Sequence, residues 1–127
     1  MAVTITPVPL SGLTDQKPLK VSVTSAAAAL KVHDIVASGA VPEDFDEIYL
    51  WVVNTTAAVA QINLHIDDGA VGDPDDFLVR SFSVPANSPP IPILTGVRLN
   101  GGHDLEVWSD TANALNVYGF ANRLTVT

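Results

Sequence analysis

Residues 47–66 read EIYLWVVNTTAAVAQINLHI, and this stretch decides the fold class. Its first half alternates as a strand does, with successive side chains on opposite faces. One face carries Ile48, Leu50 and Val52, and the other carries Tyr49, Trp51 and Val53. Both faces are therefore apolar. Such a strand lies centrally in a covered sheet, or has one face on the core and the other against another subunit.

The second half of the stretch has a cleaner alternation. Ala60, Ile62, Leu64 and Ile66 alternate with the polar residues Gln61, Asn63 and His65. This pattern predicts a half-buried strand with one face in water. The four residues between the halves, NTTA at 54–57, have the composition of a turn. We therefore predict that the two strands pair as a β-hairpin.

Further short strands are predicted along the rest of the chain, separated by turn residues rich in Gly, Pro, Asn and Asp. They cover residues 20–24, 30–37, 77–84, 91–99, 103–109 and 115–126. The segment 30–37 follows four alanines that favour a helix, but Val32, Ile35 and Val36 favour a strand. Pro92 indicates an edge position for its strand. About eight short strands without a long helix predict an all-β fold, an antiparallel β-sandwich or jelly roll.

The N-terminal segment, residues 1–19, contains Pro7, Pro9 and Pro18 among apolar residues. The prolines exclude a helix and favour an extended conformation. Two readings fit, an extended arm that reaches another protein and an ordinary edge strand followed by a loop. We predict an arm over residues 1–19 and a single β-sandwich domain over residues 20–127.

Composition excludes several functional classes. The chain has 127 residues, a net charge of −8 and six scattered basic residues, so it lacks the basic patch that a nucleic-acid or anionic membrane surface requires. It has no cysteine, which excludes disulfides and thiolate metal sites. The first residues lack the features of a signal peptide, so we expect a soluble protein that is made in the cytoplasm.

An acidic loop is the first candidate site. Carboxylates on a flexible loop can bind Ca²⁺, although the spacing does not match an EF-hand. The alternative is a loop that only adds solubility. The candidate calcium ligands are Asp67, Asp68, Asp73, Asp75 and Asp76.

Catalytic and cofactor motifs are not found in the sequence. His33, His65 and His103 lie on separate segments without metal-ligand spacing, and we interpret them as surface residues. No nucleophile elbow or phosphate-binding loop occurs. We therefore expect no enzymatic activity and no cofactor. The aromatic residues Tyr49, Trp51, Trp108 and Tyr118 could form a platform that stacks on sugars, but aromatics on strands more often belong to a core or an interface.

A family resemblance extends from residue 47 to residue 120. The segments VVNTTA, VPANS (84–88), LNGGHDLEVWS (99–109) and ANALNVYGF (112–120) occur in that order. This order resembles small β-sandwich virion proteins of tailed bacteriophages, which carry similar turn and core segments. The N-terminal segment and the long Asp-rich loop depart from the family pattern, so the position within a particle stays open.

The resemblance implies a structural role. It implies a capsid decoration (cement) protein, a homotrimer that binds the major capsid protein on the outer surface of the virion. On this reading the contact residues are Val3, Ile5, Val8 and Leu10, with whichever of Tyr49 and Trp51 faces outward. The alternative is a tail or fibre module that recognises a host glycan through Trp108 or Tyr118.

Overall fold

The structure, a computed structural model, describes residues 2–37, 43–68 and 76–126. Nine strands lie in these ranges: β1 (Val3–Val8), β2 (Leu19–Lys20), β3 (Leu30–Asp34), β4 (Phe45–Asn54), β5 (Ala60–Asp67), β6 (Phe77–Val84), β7 (Ile91–Leu99), β8 (Asp104–Ser109) and β9 (Leu115–Val126). Short 3₁₀ helices occur at Thr14–Gln16 and Ala26–Ala28. No helix in the described ranges is long and apolar enough to cross a membrane.

The strands form two antiparallel sheets. The front sheet has the order β1-β9-β4-β7, with β2 also paired to β9, and the back sheet has the order β3-β8-β5-β6. The chain changes sheet at every connection except β1 to β2 and β5 to β6. This order is that of a jelly roll, so the predicted all-β sandwich is confirmed. Pro92 lies on β7, an edge strand of the front sheet, as predicted.

The hairpin predicted for residues 47–66 is wrong. β4 pairs with β7 and β9 in the front sheet, whereas β5 pairs with β6 and β8 in the back sheet. The connection between β4 and β5 is therefore an arch that crosses from one sheet to the other. The turns at residues 100–102 and 110–114 also join strands of different sheets.

Asn54 explains why the chain leaves the front sheet at this point. Its side chain is buried, and Nδ2 donates to the carbonyl oxygens of Ala58 (2.8 Å) and Val84 (3.1 Å). Its Oδ1 accepts from the backbone N–H (2.9 Å) and the hydroxyl (2.8 Å) of Thr56. These bonds supply partners for backbone groups that a paired hairpin would have satisfied. The asparagine thus fixes the arch rather than a tight turn.

The core lies between the sheets. Alternate residues of β4 are buried, and the inward set includes Ile48, Leu50 and Val52, each 0% exposed. The back sheet contributes Ile62, Leu64, Leu105 and Val107, which are also fully buried. The predicted strand at 30–37 is confirmed in part, since β3 covers Leu30–Asp34, and the preceding alanines form the short 3₁₀ helix capped by Ser25.

The N-terminal segment is not a free arm, so this part of the prediction is wrong. β1 pairs with β9 in unbroken register from Val3↔Val126 to Val8↔Ala121, which is the edge-strand alternative. The chain then turns inward, where Leu10 and Leu13 are buried in the core. Gly12 permits this turn because a Cβ at this position would collide with the carbonyl oxygen of Lys31. Residues 10–13 therefore close the open edge of the sandwich, and we call them the plug.

Candidate interaction face

Four aromatic side chains form a continuous stack on the outer surface of the front sheet. Tyr49 lies 4.9 Å from Phe120, and Trp51 lies 6.1 Å from both Tyr118 and Phe120, measured between ring centroids. The register explains the contacts, since Tyr49 is opposite Phe120 and Trp51 is opposite Tyr118. Both Tyr49 and Trp51 point away from the core, because their neighbours Ile48, Leu50 and Val52 point into it. We call these four residues the aromatic face.

An apolar strip lies on the same outer surface toward one end of the sheet, separated from the aromatic face by the opposed polar residues Glu47 and Asn122. In the register, Val3 lies opposite Val126, and Leu124 lies between Ile5 and Phe45, so these side chains share the outer surface. The exposed fraction is 57% for Val3 and 62% for Ile5. The N-terminal sequence indicated Val3 and Ile5 as surface residues, but no local pattern indicated Leu124, Val126 or Phe120. The signal for these three is the pairing of β9 with β1 and β4, which is not local in the sequence.

Two of the predicted contact residues lie elsewhere. Leu10 is 0% exposed and belongs to the plug, so its assignment to a partner surface is wrong. Val8 lies opposite Ala121 and packs against the core, and only part of its side chain is accessible. The period of two turns Val8 inward when Val3 and Ile5 point outward, whereas Leu10 follows the end of β1 and packs in the core.

Polar groups within the aromatic face bond to one another. The Tyr49 hydroxyl donates to Glu47 Oε1 (2.9 Å), and Arg98 Nε donates to Glu47 Oε2 (3.3 Å). The hydrogen bond from Tyr49, and then the one from Arg98, lower the pKa of Glu47, and the same carboxylate raises the pKa of Tyr49. Gly96, with φ of +78°, leaves room for the Tyr49 ring, since a Cβ there would lie 3.2 Å from the hydroxyl.

A buried polar network supports the face from behind. Asp46 on β4 is 0% exposed and accepts from Arg123 Nε (2.8 Å) and Nη2 (2.9 Å) on β9. It also accepts from the backbone N–H of Val36 (2.9 Å) and lies 2.9 Å from His33 Nε2 on β3. Because the N–H of Ser11 donates to His33 Nδ1 (3.1 Å), the ring proton lies on Nε2 and is donated to Asp46. One carboxylate thus links both sheets and, through His33, the plug.

The stability contributed by Asp46 should depend on pH. Burial by itself raises the pKa of Asp46, but the hydrogen bonds from Arg123, His33 and Val36 outweigh it and hold the pKa below its ordinary value. A folded-state pKa below the unfolded one gives stability that is present above the unfolded pKa, about 3.9, and lost as pH falls through the folded pKa. In urea unfolding between pH 7 and pH 3, we expect the wild-type protein to lose more free energy of unfolding than Asp46→Asn. Equal losses in the two proteins would contradict this prediction.

Among the described residues, Asp67 is the one predicted calcium ligand that lies in a cluster of carboxylates. Asp73 and Asp75 lie outside the described residues, and Asp67 lies on β5 opposite Asp104 of β8. Ligand oxygens of Asp67, Asp104 and Glu106 lie within 4.8 Å of one another, a geometry that could hold a cation. Burial raises the pKa of Asp104 and of Glu106, and the charges of Asp34 and Asp67 respectively raise them further. Asp104 and Glu106 were not predictable as members of this cluster, because their proximity to Asp67 depends on strand register.

The surface assignment of two histidines is wrong. His33 and His65 are each 2% exposed, and His65 Nε2 lies 3.1 Å from Glu106 Oε1 on the outer side of the back sheet. The Phe77 ring covers His65 at a centroid distance of 5.8 Å, which explains the burial of this nominally polar face. His103 is exposed, as predicted.

The predicted sugar platform is divided between two surfaces. Tyr49, Trp51 and Tyr118 belong to the aromatic face, whereas Trp108 lies opposite Asn63 in the back sheet. The Trp108 Nε1 atom is buried and has no hydrogen-bond partner among the described residues. Trp108 therefore cannot join the other three aromatics in one binding site.

Comparisons with known proteins add little to this description. No protein-family model and no curated protein sequence matches the chain. Among solved structures, it is similar to "Structure of Eiger TNF from S. frugiperda" at 11% sequence identity and a TM-score of 0.36, over 97% of this chain and 85% of that one.

Proposed function

We propose that the protein is a structural component of a tailed-bacteriophage virion, a decoration protein that binds the outer surface of the major capsid shell. The phage and capsid assignment derives from the sequence resemblance. The structural observation that carries the proposal is the aromatic face with its apolar strip. A surface of this kind on a soluble protein indicates contact with another protein. The proposed partners are the major capsid protein and further copies of the chain, in a homotrimer.

The dimensions of the front sheet suit a protein partner. Ten residues of β4 span about 33 Å, and four strands about 4.8 Å apart give a flat area of about 600 Å². A standard interface buries about 800 Å² per partner, so this surface can supply most of one. Burial of apolar area contributes about 25 cal/mol per Å² before the costs of association, and many copies on one shell multiply the effect.

The polar groups of the face also suit a protein partner better than a sugar. Tyr49 and Arg98 both donate to Glu47, so the three groups can be covered without leaving a charged group unpaired. A sugar site needs polar groups that turn toward the ligand and fix its orientation. The Glu47 carboxylate beside the face is balanced by Arg98, and Lys20 is the next charged residue on this surface, opposite Asn116, although the whole chain carries −8.

The attachment proposal is tested by removing one exposed ring at a time. We expect Phe120→Ser to weaken binding to purified capsid shells about 30-fold, the equivalent of about 2 kcal/mol for an interface anchor, measured by co-sedimentation. Phe82→Ser is a matched control, since the exposed fractions are 42% for Phe120 and 41% for Phe82, and Phe82 lies on the back sheet. An equal effect of the two variants, or none from Phe120→Ser, would refute attachment through this face.

The tail or fibre alternative retains one supporting observation, the stacked pair of Trp51 and Tyr118. Such a pair can also stack on a pyranose ring. A glycan array separates the two functions. Sugar binding that Trp51→Ala abolishes and Trp108→Ala does not would favour a glycan-binding module, because only Trp51 belongs to the aromatic face.

A further inference from the structure

Apart from the two-residue β2, the described sheets have four edge strands, and three of these carry the features that prevent strands of other chains from pairing with them. β7 has two register shifts, Pro92 and Arg98. β3 has a register shift next to Lys31 and ends at Asp34. β6 has two register shifts, with Ser81 at φ of +52° beside Arg80. Bulges, prolines and charges of this kind are how natural sheets protect their edges.

β1 is different. Its register with β9 is unbroken over six residues, and its sequence VTITPV contains no charged residue. From Val3 to Pro7 every residue is exposed, including Thr4 and Thr6, which point to the core side. On its other side, no strand within the described residues pairs with β1. Its protection is limited to Pro7, which lies near the end of the strand.

We propose that the free edge of β1 is an interaction site for β1 of a second copy of this chain. Two antiparallel β1 strands would continue the front sheet from one copy into the other about a twofold axis. The contact uses backbone N–H and C=O groups, so the side chains of Val3 and Ile5 stay available on the outer surface. It extends the proposal of homo-oligomers to a named element, and it does not depend on binding to a capsid.

The sequence of β1 is complementary to itself. With Thr4 opposite Thr4 of the second copy, Val3 lies opposite Ile5 and Thr6 lies opposite Ala2. Apolar residues then face one another on the outer surface, and threonines do so on the other, both favourable cross-strand pairs. The register with Ile5 opposite its own counterpart would place Pro7 within the ladder, where it cannot donate a hydrogen bond. The Thr4-centred register avoids this loss.

Charge also favours contact between copies at β1. A chain with a net charge of −8 repels another copy over most of its surface. Next to β1, the outer surface of β9 presents Leu124 and Val126, and the inner side presents Arg123, whose charge is balanced by Asp46. Like-charge repulsion between two copies is therefore small at this edge. A twofold contact is also compatible with a homotrimer, since twofold axes relate neighbouring trimers in a closed shell.

A single cysteine tests the site, because the chain contains none of its own. Opposite residues of antiparallel strands have Cα atoms about 4.5–5.5 Å apart, within the range that a disulfide spans. We expect purified Thr4→Cys to form a covalent dimer under mild oxidation, seen on a non-reducing gel. Thr6→Cys, a matched exposed threonine of the same strand, should stay largely uncrosslinked because Ala2 lies opposite it. Equal crosslinking of both variants, or none of Thr4→Cys, would overturn the proposal.

A second measurement does not depend on disulfide chemistry. Thr4→Lys places two like charges opposite each other at the twofold axis and leaves the pairing with β9 in place. We expect self-association of the purified protein, measured by sedimentation equilibrium, to weaken at least tenfold relative to the unmutated chain. Unchanged association would overturn the β1 contact. Since no capsid shell is present in either experiment, failure here would not be confused with failure of the proposed attachment.

Discussion

Replacing Asp46 by alanine should cost about 3–5 kcal/mol in the free energy of unfolding, as removal of one partner from a buried ion pair does. The variant leaves the Nε2–H of His33, which is 2% exposed, without its acceptor, and it also removes the acceptor of the Arg123 guanidinium, whose side chain is 34% exposed. The backbone N–H of Val36 loses its partner as well. The free energy of unfolding of a small domain is about 5–15 kcal/mol, so this one substitution should remove a large fraction of the stability of the protein. Urea unfolding of both proteins, monitored by tryptophan fluorescence, measures the difference in the free energy of unfolding.

Asp34→Ala is the matched control for this prediction. Asp34 pairs with Lys31 at 2.9 Å, but their side chains are 58% and 45% exposed, and an exposed ion pair contributes about 0–1 kcal/mol. The double variant Asp46→Ala with Arg123→Met should lose less than the two single losses added together, because it leaves no unpaired guanidinium. A cost below about 1 kcal/mol for Asp46→Ala would contradict the importance of the network.

Most strand positions were predictable from sequence because they depend on local alternation, but of the strand predicted at residues 20–24 only Lys20 lies in a strand, β2. The pattern of β9 was visible over residues 115–126, and the structure has the same bounds. The pairing of strands was not predictable in the same way. A short loop such as 55–59 can close a hairpin or cross between sheets, and the difference lies in Asn54, whose amide bonds to Val84 on a distant strand. No pattern within residues 47–66 contains that contact.

The candidate face was half predictable for a related reason. Alternation placed Tyr49 and Trp51 on one side of β4 and Ile48, Leu50 and Val52 on the other, but both sides were apolar. Which side faced the core depended on the back sheet, which buries the aliphatic side. Phe120 joins the face only through the register of β9 with β4.

The two buried histidines are positions at which the polarity of the residue gave the wrong prediction of solvent exposure. His33 and His65 were interpreted as surface residues because they lie on separate segments without metal-ligand spacing, and His65 also occupies the polar face of an alternating strand. His33 is buried because Asp46 and Ser11 satisfy both ring nitrogens, and His65 is covered by Phe77. Asp46 and Ser11 lie 13 and 22 residues from His33 in the sequence. Phe77 lies on the strand that pairs with the strand of His65. Sequence gives no local sign of them.

Leu10→Ala should destabilise the fold by about 2–5 kcal/mol, since it removes a fully buried side chain from the plug and leaves a cavity between the sheets. Ile5→Ala, five residues earlier, should change the free energy of unfolding by no more than about 0.5 kcal/mol, because Ile5 is 62% exposed. Thermal and urea unfolding of both variants measure the contrast. Leu10→Met, which nearly conserves volume and should cost below about 1.5 kcal/mol, provides a folded variant if Leu10→Ala does not fold.

For binding to capsid shells, we expect the opposite ranking: the substitution at Ile5 should have the larger effect and the substitution at Leu10 the smaller one. Ile5 lies on the apolar strip beside the aromatic face, so its truncation should weaken attachment while the domain stays folded. Leu10 is fully buried and cannot contact a partner, so Leu10→Met should bind as the unmutated chain does. The opposite pattern, with stability lost at Ile5 and attachment lost at Leu10, would mean that β1 does not lie on the edge of the front sheet and that the segment is an arm after all. Stability should change mainly at Leu10 and binding to capsid shells mainly at Ile5. A general loss of stability would not produce this contrast.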